Sequence, residues 1–274
     1  MDAESGSAEV SGGRLYYERN GEGSPLIWIH AAIADHRMWN REFVEYAREH
    51  TVVRYDVRGL GRSTAAIAPY SDVDDLLAIL AKLGIPRATL IGSSNGGRIA
   101  IDFAITHPDR VSRLVLVAPG VGGLQLSGDP EEKAAFQEED NRMAPIQAAY
   151  KAGDRKAALD GMRTFWCAAQ AGPSLDLVNE MLRDNLDEVF TDASASHSTR
   201  LDPPAATRLG SIAAPTLVLL GDRDAPGMRF IVDRVTSGIP GAKRKGIPGA
   251  DHLVNLSRPH EFDQSVREFL ARTG

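Results

Sequence analysis

The sequence predicts an α/β fold: a mostly parallel central sheet covered by helices on both faces, with one helical insertion. Three observations carry the prediction. Short apolar segments alternate with amphipathic ones over most of the chain. A glycine-rich turn joins one such strand directly to a helix. The alternation then fails between about Gly120 and Arg208, where the chain is helical and strand-poor.

Met1 to Gly12 is acidic and rich in small residues, with neither a basic leader nor an apolar stretch after it, so a disordered lead-in is expected. Strand patterns follow at residues 14–18, 26–30, 51–55, 88–92, 113–118, 216–221 and 242–247, and the first of them are compatible with an antiparallel hairpin on one edge. Helical patterns fall at residues 39–50, 73–83, 96–107, 228–237 and 259–273. The core is thus expected over 13–120 and 208–274, with a cap formed by 121–207. That insertion opens on the acidic run Asp129-Pro130-Glu131-Glu132 and contains Pro145, Pro173 and Pro203-Pro204 as breakers.

Gly92-Ser93-Ser94-Asn95-Gly96 lies between the apolar run Ala88–Ile91 and the amphipathic run that begins at Arg98. This is G-x-S-x-G in strand–turn–helix context, which holds a serine on a strained, exposed turn. Side chains two positions either side of Ser94 would collide where strand and helix approach. A serine hydroxyl is a poor nucleophile at neutral pH, so it needs a base, and the base needs an acid to orient it. With this motif the chain order is serine, acid, histidine.

Two downstream loops supply candidates. Thr216–Leu220 runs into Gly221-Asp222-Arg223-Asp224, and a later short strand runs into Pro248-Gly249-Ala250-Asp251-His252. His252 has the required order and follows a turn. His50, His107, His197 and His260 read as surface or helix-terminal residues, and His30, at a strand end, as a loop-ordering one. For the acid, Asp224 competes with Asp222, which is suited to capping its own turn, and with Asp251, which is suited to fixing the histidine loop. The oxyanion donors are expected from the backbone N–H of Asn95, just after the serine, and of Ala32, in the loop after Pro25–Ile29.

Taken together, His30-Ala31, Asp56-Val57-Arg58-Gly59-Leu60-Gly61-Arg62-Ser63, the turn at Ser94, Gly221 to Asp224, and His252 with Asn255-Leu256-Ser257-Arg258-Pro259 resemble the α/β-hydrolase superfamily. The resemblance runs from about Gly13 to the C-terminus and weakens in the middle. His36-Arg37-Met38-Trp39 and Ala250–Leu256 are similar to the branch that includes 3-oxoadipate enol-lactonases. The family's acid is the last residue of a Gly-x-x-Asp run, which implies Asp224. Two positions depart from the pattern: Ala31 replaces the glycine of the usual His-Gly, and Asn95 replaces a bulky apolar residue or glutamine. Neither change removes a backbone donor.

The expected function is therefore a cofactor-independent, metal-free serine hydrolase that cleaves a small, partly apolar ester or lactone. Its catalytic residues would be Ser94, Asp224 and His252, with Ala32 and Asn95 as oxyanion donors. Met143, Phe165, Trp166, Met181, Leu182 and Phe190 of the insertion are candidates to line the substrate cavity or to pack the cap. Two alternatives stand beside this reading. One is another reaction on the same triad, such as C–C cleavage, perhydrolysis, cyclisation or elimination. The other is a receptor-like binding protein that retains the fold.

A net charge of −6 argues against general affinity for nucleic acid or anionic membranes, so the expected partner is a small-molecule substrate. A homo-oligomer is compatible with the sequence. The single cysteine, Cys167, excludes an internal disulfide framework, and beside Phe165 and Trp166 it reads as a packed thiol. No apolar run reaches transmembrane length, and a cytoplasmic location is the expectation.

Overall fold

In the computed structural model, which describes residues 3–191 and 195–272, eight strands make one sheet. They are β1 (Glu4–Val10), β2 (Gly13–Asn20), β3 (Ser24–Ile29), β4 (His50–Tyr55), β5 (Ala88–Ser93), β6 (Val111–Val117), β7 (Thr216–Gly221) and β8 (Lys243–Ile247). Their spatial order is β1-β2-β4-β3-β5-β6-β7-β8. β1 and β2 are antiparallel to their neighbours, and every pairing from β4 to β8 is parallel. All residues of β5 and β7 are buried, as expected of strands covered on both faces.

The covering helices are α1 (Asn40–Glu45), α2 (Asp72–Lys82), α3 (Asn95–Thr106), α7 (Met228–Gly238), α8 (Val254–Ser257) and α9 (Pro259–Arg272). Between β6 and β7 the insertion contributes α4 (Pro130–Lys151), α5 (Arg155–Trp166) and α6 (Gly172–Thr191). Among the described residues no helix is long and apolar enough to cross a membrane.

Three local expectations need correction. The disordered lead-in is instead an edge strand: Glu4–Val10 pairs with β2 in continuous register from Glu4↔Arg19 to Val10↔Gly13. The two-residue turn works because Gly12 sits at φ 73°, and Ala8 is buried. Small residues suit this edge, since a Cβ on Gly6 would meet the Tyr17 hydroxyl at 2.6 Å. Met1 and Asp2 lie outside the described residues. The single helix expected over residues 39–50 is split into a 3-10 turn (His36–Trp39), α1 and a second 3-10 turn (Tyr46–Arg48). The β3–β4 ladder begins at Ser24↔His50 and takes over the end of that helix, while Trp39 and Tyr46 both turn onto Trp28, at ring distances of 4.9 and 5.1 Å. Finally, Pro145 does not break the insertion but lies inside α4 on its exposed side. The neighbouring Ile146 is buried against Gly161 of α5, where a Cβ would come within 2.7 Å, so packing holds the helix through the proline.

The insertion is strapped to the core by polar contacts. Asn185 of α6 donates to Asp35 and accepts from the Gly61 N–H, each at 2.9 Å. Arg37 bridges Asp35 and Asp184, and Arg234 of α7 pairs with Glu132 of α4.

Candidate active site

Ser94 occupies the turn between β5 and α3 at φ 53°, ψ −112°, a conformation that non-glycine residues rarely hold. Its neighbours enforce this. A Cβ on Gly92 would lie 2.3 Å from the Gly96 carbonyl oxygen, and one on Gly96 would lie 2.2 Å from that of Ile29. The Ser94 N–H donates to Val117 of β6, and the Ser94 carbonyl accepts from both Arg98 and Gly120. The strain is thereby paid for by a fixed hydrogen-bond frame.

His252 follows β8 and is 2 % exposed. Its Nδ1 lies 2.9 Å from each carboxylate oxygen of Asp224, and one of those oxygens also accepts the Ala225 N–H at 2.7 Å. Burial acts to lower the imidazole pKa, but the Asp224 charge and hydrogen bond outweigh it, with help from Asp251 and Glu139, and the result is a raised value. The His252 N–H donates to the Trp166 carbonyl, and the Trp166 ring lies 4.4 Å from the imidazole.

The rival carboxylates are engaged elsewhere. Asp222 is exposed and accepts the Gly249 N–H at 2.6 Å. Asp251 is buried and accepts from the Ala169 N–H, the Gln170 amide and the Leu253 N–H, which ties the insertion to the histidine loop. His30 is buried between two loops: its Nε2 accepts the Val57 N–H at 2.9 Å, so its Nδ1 is the donor to Ala31 O at 2.8 Å. Burial pushes its pKa down.

Ser94, His252, Ala32 and Ile33 line one cavity of about 510 Å³, closed by Met143, Gln147, Tyr150, Lys151, Met162, Trp166, Val189 and Phe190 of the insertion. Three of the apolar candidates, Met143, Trp166 and Phe190, are therefore at the cavity. Phe165 and Met181 are not, nor is Leu182. Phe165 is 5 % exposed beneath Arg142 and edge-on to Trp166, and Met181 and Leu182 are buried on the inner side of α6. Phe165 and Trp166 point about 100° apart on α5, and here Trp166 faces the cavity while Phe165 turns under Arg142. Gln147, Tyr150 and Lys151 were not foreseen. They extend from Met143 at spacings of four, three and one along the inner stripe of α4, a helical periodicity that the sequence does carry.

Asn95 opens α3, and its side chain borders a smaller adjoining cavity of about 170 Å³, which also has Ala32 and Val189 in its wall. There Arg98 donates to Asn95 Oδ1 at 2.9 Å and is held by Asp72 and Asp102 at 2.6 and 2.9 Å. As possible metal ligands, Asp35, His36 and Asp56 each place one atom within 4.8 Å of the others. Their donors are met internally: Asp56 accepts from the His36 N–H and Nδ1 and from Arg62, and Asp35 accepts from Arg37 and Asn185. Cys167 is buried, and desolvation pushes its thiol pKa well up, as for a packed cysteine.

A parallel sheet with a strained serine at the end of its central strand, and a histidine–aspartate pair on the two loops beyond, defines an α/β-hydrolase architecture. The family comparison agrees: residues 26–264 match the alpha/beta hydrolase family. The chain belongs to that family, and it is an enzyme of the hydrolase class. It is 31% identical over 232 residues to "Putative carbamate hydrolase RutD" of Variovorax paradoxus, covering 81% of this chain and 82% of that one. It is 27% identical over 274 residues to a 2-hydroxy-6-oxononadienedioate/2-hydroxy-6-oxononatrienedioate hydrolase of Burkholderia vietnamiensis, covering 94% and 91%. Among solved structures, the N-acyl homoserine lactone degrading enzyme Est816 superposes with a TM-score of 0.73 at 26% identity, covering 96% of this chain and all (100%) of that one.

Proposed function

We propose that this chain is a serine hydrolase that cleaves a small, partly apolar ester or lactone through an acyl-enzyme, with no cofactor. Ser94 Oγ attacks the carbonyl carbon and His252 takes its proton. Asp224 holds the imidazole with Nδ1–H toward itself and stabilises the imidazolium that forms. The Asn95 and Ala32 N–H groups receive the oxyanion, and His252 then returns the proton to the leaving alcohol. Water, activated by the same histidine, releases the acid and restores Ser94.

The observation that carries this reading is the pairing in one cavity of a serine held at φ 53° with a histidine whose Nδ1 is 2.9 Å from a buried carboxylate. Apolar walls from Ile33, Met143, Met162, Trp166 and Phe190 support a partly apolar substrate, and the lactone-degrading neighbour supports the ester or lactone class. The relative that acts on an oxononadienedioate favours a second reading, in which the same residues cleave a C–C bond next to a carbonyl.

A fluorophosphonate reagent tests the first step. It should label one peptide, that containing Ser94, and Ser94→Ala should abolish labelling and lower ester turnover by roughly 10⁴-fold or more. Labelling at Ser93, or full activity in the variant, overturns the reading. Product analysis with ester, lactone and vinylogous 1,5-diketone substrates separates the two hydrolytic classes.

A further inference from the structure

Besides the three triad side chains and two backbone donors assigned above, one acidic side chain reaches the same chemistry from the insertion. Glu139 lies on the inward stripe of α4 with Glu132, Ala135, Met143 and Ile146, while its neighbours Gln137, Glu138 and Asp140 are exposed. Its Oε1 accepts the N–H of Gly227 at 2.5 Å, three residues beyond Asp224 and immediately before α7. The fit is close: a Cβ on Gly227 would come within 2.8 Å of both that oxygen and the Phe136 ring. A carboxylate at this place also faces the N-terminal end of α7.

We propose that Glu139 is a positioning residue for catalysis, which pins the loop carrying Asp224 and adds a further negative charge to the field that favours the His252 imidazolium. The inference rests on the triad reading of Ser94, Asp224 and His252. The charged groups around it are few. Glu139 is faced by Asp224 and His252 from the core and by Asp140 from its own helix, and His252 is faced by Asp224, Asp251 and Glu139. Burial raises the Glu139 pKa, the Gly227 N–H opposes that rise, and the Asp224 and Asp140 charges add to it. The imidazole is in turn raised partly by Glu139. Seating of the insertion on the core would thus complete the electrostatic setting of the base, so the insertion shapes reactivity as well as selectivity.

Two variants separate the hydrogen bond from the charge. Glu139→Gln keeps a carbonyl acceptor for Gly227 and removes the charge, whereas Glu139→Ala removes both. The readout is the rate of Ser94 modification by a small fluorophosphonate from about pH 5 to 9, a reaction that needs His252 as the neutral base. Removing a negative charge lowers the imidazolium pKa, so the acidic limb of Glu139→Gln should move to lower pH. The expected displacement is about 0.3–1 unit, less than a carboxylate in direct contact produces. Glu139→Ala should show the same displacement and a further loss of at least about threefold on the alkaline plateau. An acidic limb in Glu139→Gln that coincides with that of the unsubstituted protein overturns the proposal, as does a Glu139→Ala plateau equal to that of Glu139→Gln. If the unsubstituted protein shows no acidic limb, or His252→Ala labels at the same rate, the triad reading itself fails, and that outcome is distinct from the other two.

Discussion

Replacing Asp224 with asparagine is the sharpest test of the site, because the two competing carboxylates make different contacts. Asp224 offers both oxygens to His252 Nδ1 at 2.9 Å inside a site where its side chain is 2 % exposed. In Asp224→Asn the amide NH₂ competes to face the imidazole, which favours the tautomer with the proton on Nε2, where it cannot accept from Ser94. The charge that offsets burial of the imidazolium is lost in the same step. The expected cost is roughly 10³ to 10⁴ in kcat/KM, or about 4–5.5 kcal/mol of transition-state stabilisation. Asp222→Asn keeps a carbonyl acceptor for the Gly249 N–H on an exposed turn, so it should change the rate by no more than about twofold. The pH profile supplies an independent sign. His252 is raised because the Asp224 attraction exceeds the effect of burial. With that charge gone, burial is opposed only by the smaller contributions of Asp251 and Glu139, and the acidic limb of the residual activity should shift to lower pH. Both are measured with an activated p-nitrophenyl ester, with circular dichroism to establish that the variants fold. A larger loss in Asp222→Asn, or an acidic limb that moves upward in Asp224→Asn, refutes the assignment.

Further outcomes follow from the packing. Phe190 lines the cavity with its ring stacked on Tyr150, so Phe190→Ala should change the relative kcat/KM for small and bulky acyl groups by about 1–3 kcal/mol, read from competing ester substrates. Met181 is buried away from the cavity, so Met181→Ala should instead cost about 2–5 kcal/mol in a denaturant titration and leave that ratio unchanged. Gly96→Ala should give protein that does not react with a fluorophosphonate, since its Cβ would sit 2.2 Å from the Ile29 carbonyl oxygen under the serine turn. Glu42 is fully buried beside Asn255, and desolvation pushes its carboxyl up to about 7 from an ordinary 4.5. The unfolded chain releases that proton first, so stability should fall as pH rises from about 4.5 to 7 and stay lower above it. Glu42→Gln should therefore raise the unfolding free energy at about pH 8.5 by up to about 3 kcal/mol and have little effect at about pH 4, as measured by urea denaturation at the two pH values.

What could be read in the sequence was whatever depends on local pattern. β5 and β7 are six-residue strands with apolar centres (Leu90–Ile91 and Leu217–Leu220) bounded by turn residues, and the glycines around Ser94 announce a close approach that the structure contains. β1 was illegible because an edge strand built mostly from Ser, Gly, Ala and Glu has the composition of a loose terminus, and only its partner β2 gives it a ladder to join. The insertion was legible as helical but not in its rotation. Phe165 and Trp166 are equally apolar, and which of them meets the cavity depends on how α5 turns against α4, where Gly161 lets Ile146 in. Glu139 shows the same limit for a charged residue. In the run Gln137-Glu138-Glu139-Asp140 it looks like one more group on a solvated face, yet it falls in phase with Glu132, Ala135, Met143 and Ile146. A carboxylate in phase with an inward stripe must find a donor or stay out of its charged form, and here the donor is a backbone N–H on the loop of the proposed catalytic acid. Periodicity can therefore single out such a residue in advance, but its chemical meaning comes only from the element that packs against it.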